Sequence, residues 1–146
     1  MEINGIPAHP LLVHLVVVLL PLTCLAGILV SLWPAAQRKL SFLVPLGAVV
    51  GAAAVPLVTR AGEDLAKKLG NPPFIEQHEE YGDMVLPWAA AFAVLTVVQY
   101  VVLRGGVNRA LRLVLSLLVV AAAAGTIVVV VLTGDSGAQA VWGTKG

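Results

Sequence analysis

Leu11 to Trp33 reads LLVHLVVVLLPLTCLAGILVSLW, 23 residues without a single Asp, Glu, Lys or Arg. At about 1.5 Å of rise per residue, a helix of this length crosses the roughly 30 Å hydrocarbon layer of a bilayer. Three more uncharged runs follow, at 40–59, 84–103 and 113–133. Within lipid only helices and closed barrels satisfy their backbone groups, and none of the four runs alternates as a barrel strand does. The expected fold is all-α: a polytopic membrane protein, a four-transmembrane-helix bundle occupying residues 1–146 as a single domain. The first run is also too long for the 7–15-residue core of a signal peptide, and Glu2 with no Lys or Arg precedes it, so it is read as a retained helix.

Composition agrees. Of 146 residues, 59% are hydrophobic and only 12% charged, where a soluble domain has about 25% charged residues. The mean hydropathy is +0.95. A net charge of +1 with dispersed basic residues sets nucleic-acid binding aside, and the lipid bilayer is the first expected partner. One cysteine, Cys24, rules out an intrachain disulfide, a CxxC redox pair and a CxxCH haem attachment site within this sequence.

The connections set the expected orientation. Arg38 and Lys39 lie between the first two spans, and Arg104, Arg109 and Arg112 between the last two. Neither connection holds an acid, so the positive-inside rule places both in the cytoplasm of a plasma (inner) membrane, with both termini outside. All eight acids and all three histidines then fall on the outer side, and the inner face is expected to be bare of chemistry.

The second helix is expected to extend past the membrane, because Glu63 precedes Lys67 and Asp64 precedes Lys68 by the four residues that favour helical ion pairs. Gly70 is read as its stop, and Asn71-Pro72 as the N-cap and first position of a third helix that runs through Trp88 into the membrane. Gly134 and the glycines after it are read as ending the fourth helix. Gly47 and Gly51, with the run Ala121 to Gly125, mark faces for close packing within a bundle or across a homo-oligomer. Pro21, Pro45, Pro56 and Pro87 fall inside spans and are candidate kinks.

Three histidines carry the candidate chemistry. His14 lies one turn inside the first run, where an ionisable group is expected to face the interior and a partner. His9 precedes Pro10 at the helix start, and five residues turn it about 140° from His14, so the two are not adjacent ligands. His78 stands in the polar stretch Glu76 to Asp83 that leads into the third span. The candidate cofactor-binding residues are His9, His14 and His78, and the candidate metal ligands add Glu79 and Asp135. Such nitrogen and oxygen donors suit Zn, Cu, Ni or Fe, and facing histidines also suit haem b. His78 lies roughly 9 Å outside its apolar run if helical, a depth that His9 matches better than His14 does. Solvated or backbone-satisfied histidines are the plain alternative. Ser136 lacks a GxSxG context, and no catalytic or nucleotide motif appears.

The opening Ile6-Pro7-Ala8-His9-Pro10-Leu11-Leu12-Val13-His14, with an outer histidine at the head of the third span and a Gly-Asp-Ser-Gly-Ala tail after the fourth, resembles the bacterial four-helix membrane family catalogued as domain of unknown function 2231. The resemblance covers essentially the whole chain. His9, His14 and His78 match that family's recurrent histidines, and Asp135 falls in its tail. The family's Phe-Pro after the second histidine is replaced here by Leu15-Val16. Association of relatives with Rieske or c-type cytochrome modules implies a link to membrane electron transfer and a redox partner protein. The sequence therefore supports two readings: an outer-face site for haem or a transition metal, or a cofactor-free structural or partner-binding subunit.

Overall fold

A computed structural model describes residues 1–143. Four long helices dominate: α1 (Ala8–Leu32), α3 (Leu43–Lys68), α4 (Glu76–Arg104) and α5 (Arg109–Trp142), with a short α2 (Pro34–Leu40) between the first two. Each of the four is long and apolar enough to cross a membrane. They run alternately up and down, and each packs on two neighbours in the cyclic order α1, α3, α4, α5. One end of the bundle therefore gathers the N-terminus, the α3–α4 connection and the end of α5. The other gathers α2 and the arginine-bearing α4–α5 turn. The first is the histidine end of the bundle and the second its arginine end.

The core is built from one seam of each helix. Toward the arginine end Cys24, Val44, Phe92, Val119 and Ala123 pack together, and toward the histidine end Val16, Leu20, Val55, Val85, Ala89 and Val129 do so. The opposite faces carry exposed Leu22, Leu25, Val94, Leu117 and Val131, as expected where lipid rather than water is the solvent. The small residues are spent inside the bundle. A methyl on Gly47 would lie 2.7 Å from Thr23 Oγ1, one on Gly51 2.5 Å from Leu20 Cδ2, and one on Gly125 2.1 Å from the Trp88 ring. These glycines let α1 approach α3 and α4 approach α5. The buried hydroxyls of Thr23 and Thr126 are satisfied by the carbonyls one turn earlier, at Leu19 and Ala122. α1, α3 and α4 continue through Pro21, Pro56 and Pro87.

Four local features differ from the sequence reading. A two-stranded hairpin precedes α1, pairing β1 (Glu2–Ile3) with β2 (Ile6–Pro7) through Asn4 and Gly5 at φ 52° and 79°. That is the left-handed pair that an Asn-Gly turn supplies. The hairpin takes the charges of one of the two pairs expected along α3, Asp64–Lys68: the N-terminal ammonium binds Asp64 at 3.1 Å and Lys68 binds Glu2 at 2.5 Å. Asn71 does not cap α4. It sits at φ 50°, its N–H donating to the Ala66 carbonyl, so it closes α3 while a 3-10 turn, Pro73–Ile75, leads into α4. Finally, α5 does not stop at Gly134 but runs to Trp142, supported by Gln139 Nε2 donating to Asp135 one turn earlier.

Candidate functional site

His9 sits in the first turn of α1 and His78 in the first turn of α4. These helices are diagonal in the bundle, yet at the histidine end the two imidazoles meet near the axis, with ring centroids 6.1 Å apart and planes at 82°. Both rings are partly buried.

Each ring is held by the helix beside it in the same way. His9 Nδ1–H donates to the Val58 carbonyl of α3 at 3.0 Å, and His78 Nδ1–H donates to the Thr133 carbonyl of α5 at 2.9 Å. A carbonyl only accepts, so Nδ1 carries a proton in both rings, and in the neutral imidazole the lone pair is then on Nε2. Four residues beyond each carbonyl stands a glycine. A methyl on Gly62 would lie 3.0 Å from His9 Nδ1 and Cε1, and one on Gly137 3.0 Å from His78 Cε1. The missing side chain makes a notch in which the imidazole edge rests. The α1–α3 and α4–α5 pairs thus repeat one device, a histidine in a glycine notch bonded to the carbonyl one turn before it. Val58, Gly62, Thr133 and Gly137 belong to the site although nothing in the sequence pattern marked them as site residues beyond the matched four-residue spacing to a glycine. A backbone acceptor leaves no trace in side-chain composition.

The other candidates do not join the pair. His14 is exposed on the outer flank of α1, among Leu11, Leu15 and Val18, instead of facing the interior. Its Nδ1–H is satisfied by the Pro10 carbonyl of its own helix at 2.5 Å, which removes the need for a partner across the bundle. The 140° separation from His9 is what turns it outward. Glu79 and Asp135 are both exposed, and Asp135 is taken up by Gln139. Glu63 and Asp83, with Arg60, line a groove of about 220 Å³ between α3 and α4. Among the described residues no three His, Cys, Asp or Glu side chains gather at metal-binding distance.

Ser136 Oγ lies 3.5 Å from His78 Nδ1, but its proton goes to the Thr133 carbonyl at 2.9 Å, the same acceptor that His78 uses. With Nδ1 already protonated, His78 has no lone pair facing that hydroxyl, and the two do not form a nucleophile–base couple. Around the pair the hairpin adds charge. The Lys68 ammonium holds the Glu2 carboxyl below its ordinary 4.5, chiefly by hydrogen bonding, and the N-terminal ammonium does the same to Asp64 below 3.8.

No curated protein and no solved structure has significant similarity to this chain. The family described as "Predicted membrane protein (DUF2231)" matches residues 5–146, which takes in all four spans and both histidine notches, and the chain belongs to that family of membrane proteins.

Proposed function

We propose that the histidine end binds a transition metal, ionic or as haem iron, through Nε2 of His9 and of His78, and that the protein serves redox or metal handling at the membrane surface. The observation that carries this is the shared anchoring of the two rings. Each donates Nδ1–H to a backbone carbonyl, the arrangement that orients metal-ligating histidines and raises their basicity, and each keeps Nε2 for a metal. The separation is compatible. With metal–nitrogen bonds of about 2.0–2.1 Å, two imidazoles on opposite sides of one metal have centroids roughly 6 Å apart. The observed 6.1 Å matches that spacing for a single ion and for haem iron alike, and a haem would in addition need room for its porphyrin between α1 and α4. Two protein ligands leave positions open for water or for a donor from a redox partner, which suits transfer better than storage.

A second reading rests on the same glycine notches. There the histidines act as clasps that tie α1 to α3 and α4 to α5, in a cofactor-free subunit that assembles with a partner or with its own copies.

Optical spectra of oxidised and dithionite-reduced protein, with elemental analysis, distinguish the two. The detergent-purified full chain is used, expressed with metals and haem supplied. Near-stoichiometric metal or a Soret band that is lost in His9→Ala and His78→Ala but kept in His14→Ala supports the site. A colourless, metal-free wild type moves the conclusion to the clasp.

A further inference from the structure

The arginine end, expected to be bare, holds a cavity of about 170 Å³ to which α1 through α5 all contribute. Its floor is polar although it lies within the bundle. Thr96 and Gln99 are 1% and 3% exposed, and Gln99 Nε2 reaches across to donate to Ser31 Oγ of α1 at 3.1 Å. Its mouth carries Arg104, Arg112 and Tyr100. Arg104 Nη1 donates to the Tyr100 hydroxyl at 2.8 Å, and its guanidinium lies 5.3 Å from the centre of that ring. The hydroxyl, having accepted a bond from a cation, keeps its own proton to donate outward, and Arg104 retains four further N–H donors. Neither arginine meets a carboxylate, because every acid in the sequence lies toward the opposite end and the ion pairs among the described residues are both there. A cavity with two unneutralised guanidinium groups and an activated hydroxyl at its mouth is complementary to an oxyanion.

We propose that this cavity binds a phosphate group, with Arg112 and Arg104 supplying charge and paired N–H donors and Tyr100 O–H the third contact. Its volume admits a tetrahedral phosphate with some water. Two sources share this chemistry: the headgroup of an anionic phospholipid in the adjoining leaflet and a soluble phosphate. The inference is independent of any metal at the histidine end.

The test uses the full chain in two arms. In the first, protein from bilayer discs of zwitterionic lipid, with or without phosphatidylglycerol, is released into neutral detergent and its retained lipid is counted by native mass spectrometry. In the second, inorganic phosphate is added and the broadening of its ³¹P resonance is followed. Arg112→Gln and Tyr100→Phe are compared with Arg109→Gln, which removes the same charge from the same turn but does not line the cavity. Loss of a charge-assisted contact should weaken retention about tenfold in Arg112→Gln and about threefold in Tyr100→Phe, with Arg109→Gln unchanged. Retained phosphatidylglycerol without phosphate broadening identifies the headgroup, and phosphate broadening identifies the soluble ligand. Binding in neither arm overturns the proposal. So does an Arg109→Gln effect equal to that of Arg112→Gln with Tyr100→Phe silent, since the attraction is then only the general charge of this end.

Discussion

Gly134 and Gly137 stand one turn apart on α5 and do different work. A methyl on Gly134 meets nothing within 4 Å, whereas one on Gly137 meets the His78 ring at 3.0 Å. Glycine inside a helix costs about 0.8–1 kcal/mol relative to alanine, so Gly134→Ala should stabilise the protein by up to that amount. Gly137→Ala gains the same helix propensity but must push the His78 ring a few tenths of an ångström, straining a hydrogen bond worth about 1 kcal/mol. Thermal unfolding in detergent should therefore rank Gly134→Ala above wild type and Gly137→Ala at or below it. If both variants rise equally, the ring does not rest in the notch. A metal bound by the pair adds a second signature, weakened retention in Gly137→Ala with none in Gly134→Ala.

Among the elements, the N-terminal hairpin shows how local turn chemistry redirects charges. Asn4 and Gly5 supply a left-handed pair that reverses the chain in two residues, bringing the ammonium of Met1 to Asp64 and Glu2 to Lys68. The Asp64–Lys68 pair expected from the four-residue spacing along α3 gives way to contacts more than 60 residues away in the chain. Both carboxyls have lowered values in the folded state, so their contribution is present above the ordinary carboxylate range. It is lost as pH falls through the lowered values, below 4.5 for Glu2 and 3.8 for Asp64. The hairpin should then detach in acid while the helices persist, seen as faster amide exchange for residues 2–6 once the pH lies below these lowered values, with unchanged helical circular dichroism. Glu2→Gln with Asp64→Asn should show that fast exchange already at pH 7. An unaltered exchange rate in the double variant would mean that the hairpin is held by its turn alone.

For the molecule as a whole, the small-residue faces decide how close the helices stand. Gly51 abuts Leu20, which is fully buried, so added volume there has no flexible side chain at a surface to displace. Gly51→Val should separate α1 from α3 at a cost of about 1–3 kcal/mol or more, measured as a lowered midpoint of detergent unfolding. Because Val58 and Gly62 lie on the same helix as Gly51, the same change should also loosen the seat of His9. Gly125→Ala presses on Trp88, which is 39% exposed and has room to turn outward, so its cost should be the smaller of the two. Equal losses would show that the α4–α5 contact is as rigid as the α1–α3 contact.

Four uncharged runs of 20 to 23 residues were enough to determine four crossings, since in lipid a backbone that long has few ways to satisfy itself but the helix. The three histidines were equally visible, because ionisable groups at the edge of such runs are conspicuous, and their spacing already separated His9 from His14. The continuation of α5 through Gly134 and Gly137 was not legible, because glycine's weak helix propensity is overridden in context, at Gly137 by packing against His78. Only the tertiary structure showed that the pair is His9 with His78, that His14 turns outward, and that the carbonyls of Val58 and Thr133 hold the rings. Periodicity along one chain reports which face of a helix is apolar. Which faces meet across the bundle axis, and which backbone acceptors wait there, depends on residues 49 and 55 positions apart coming together at a shared depth.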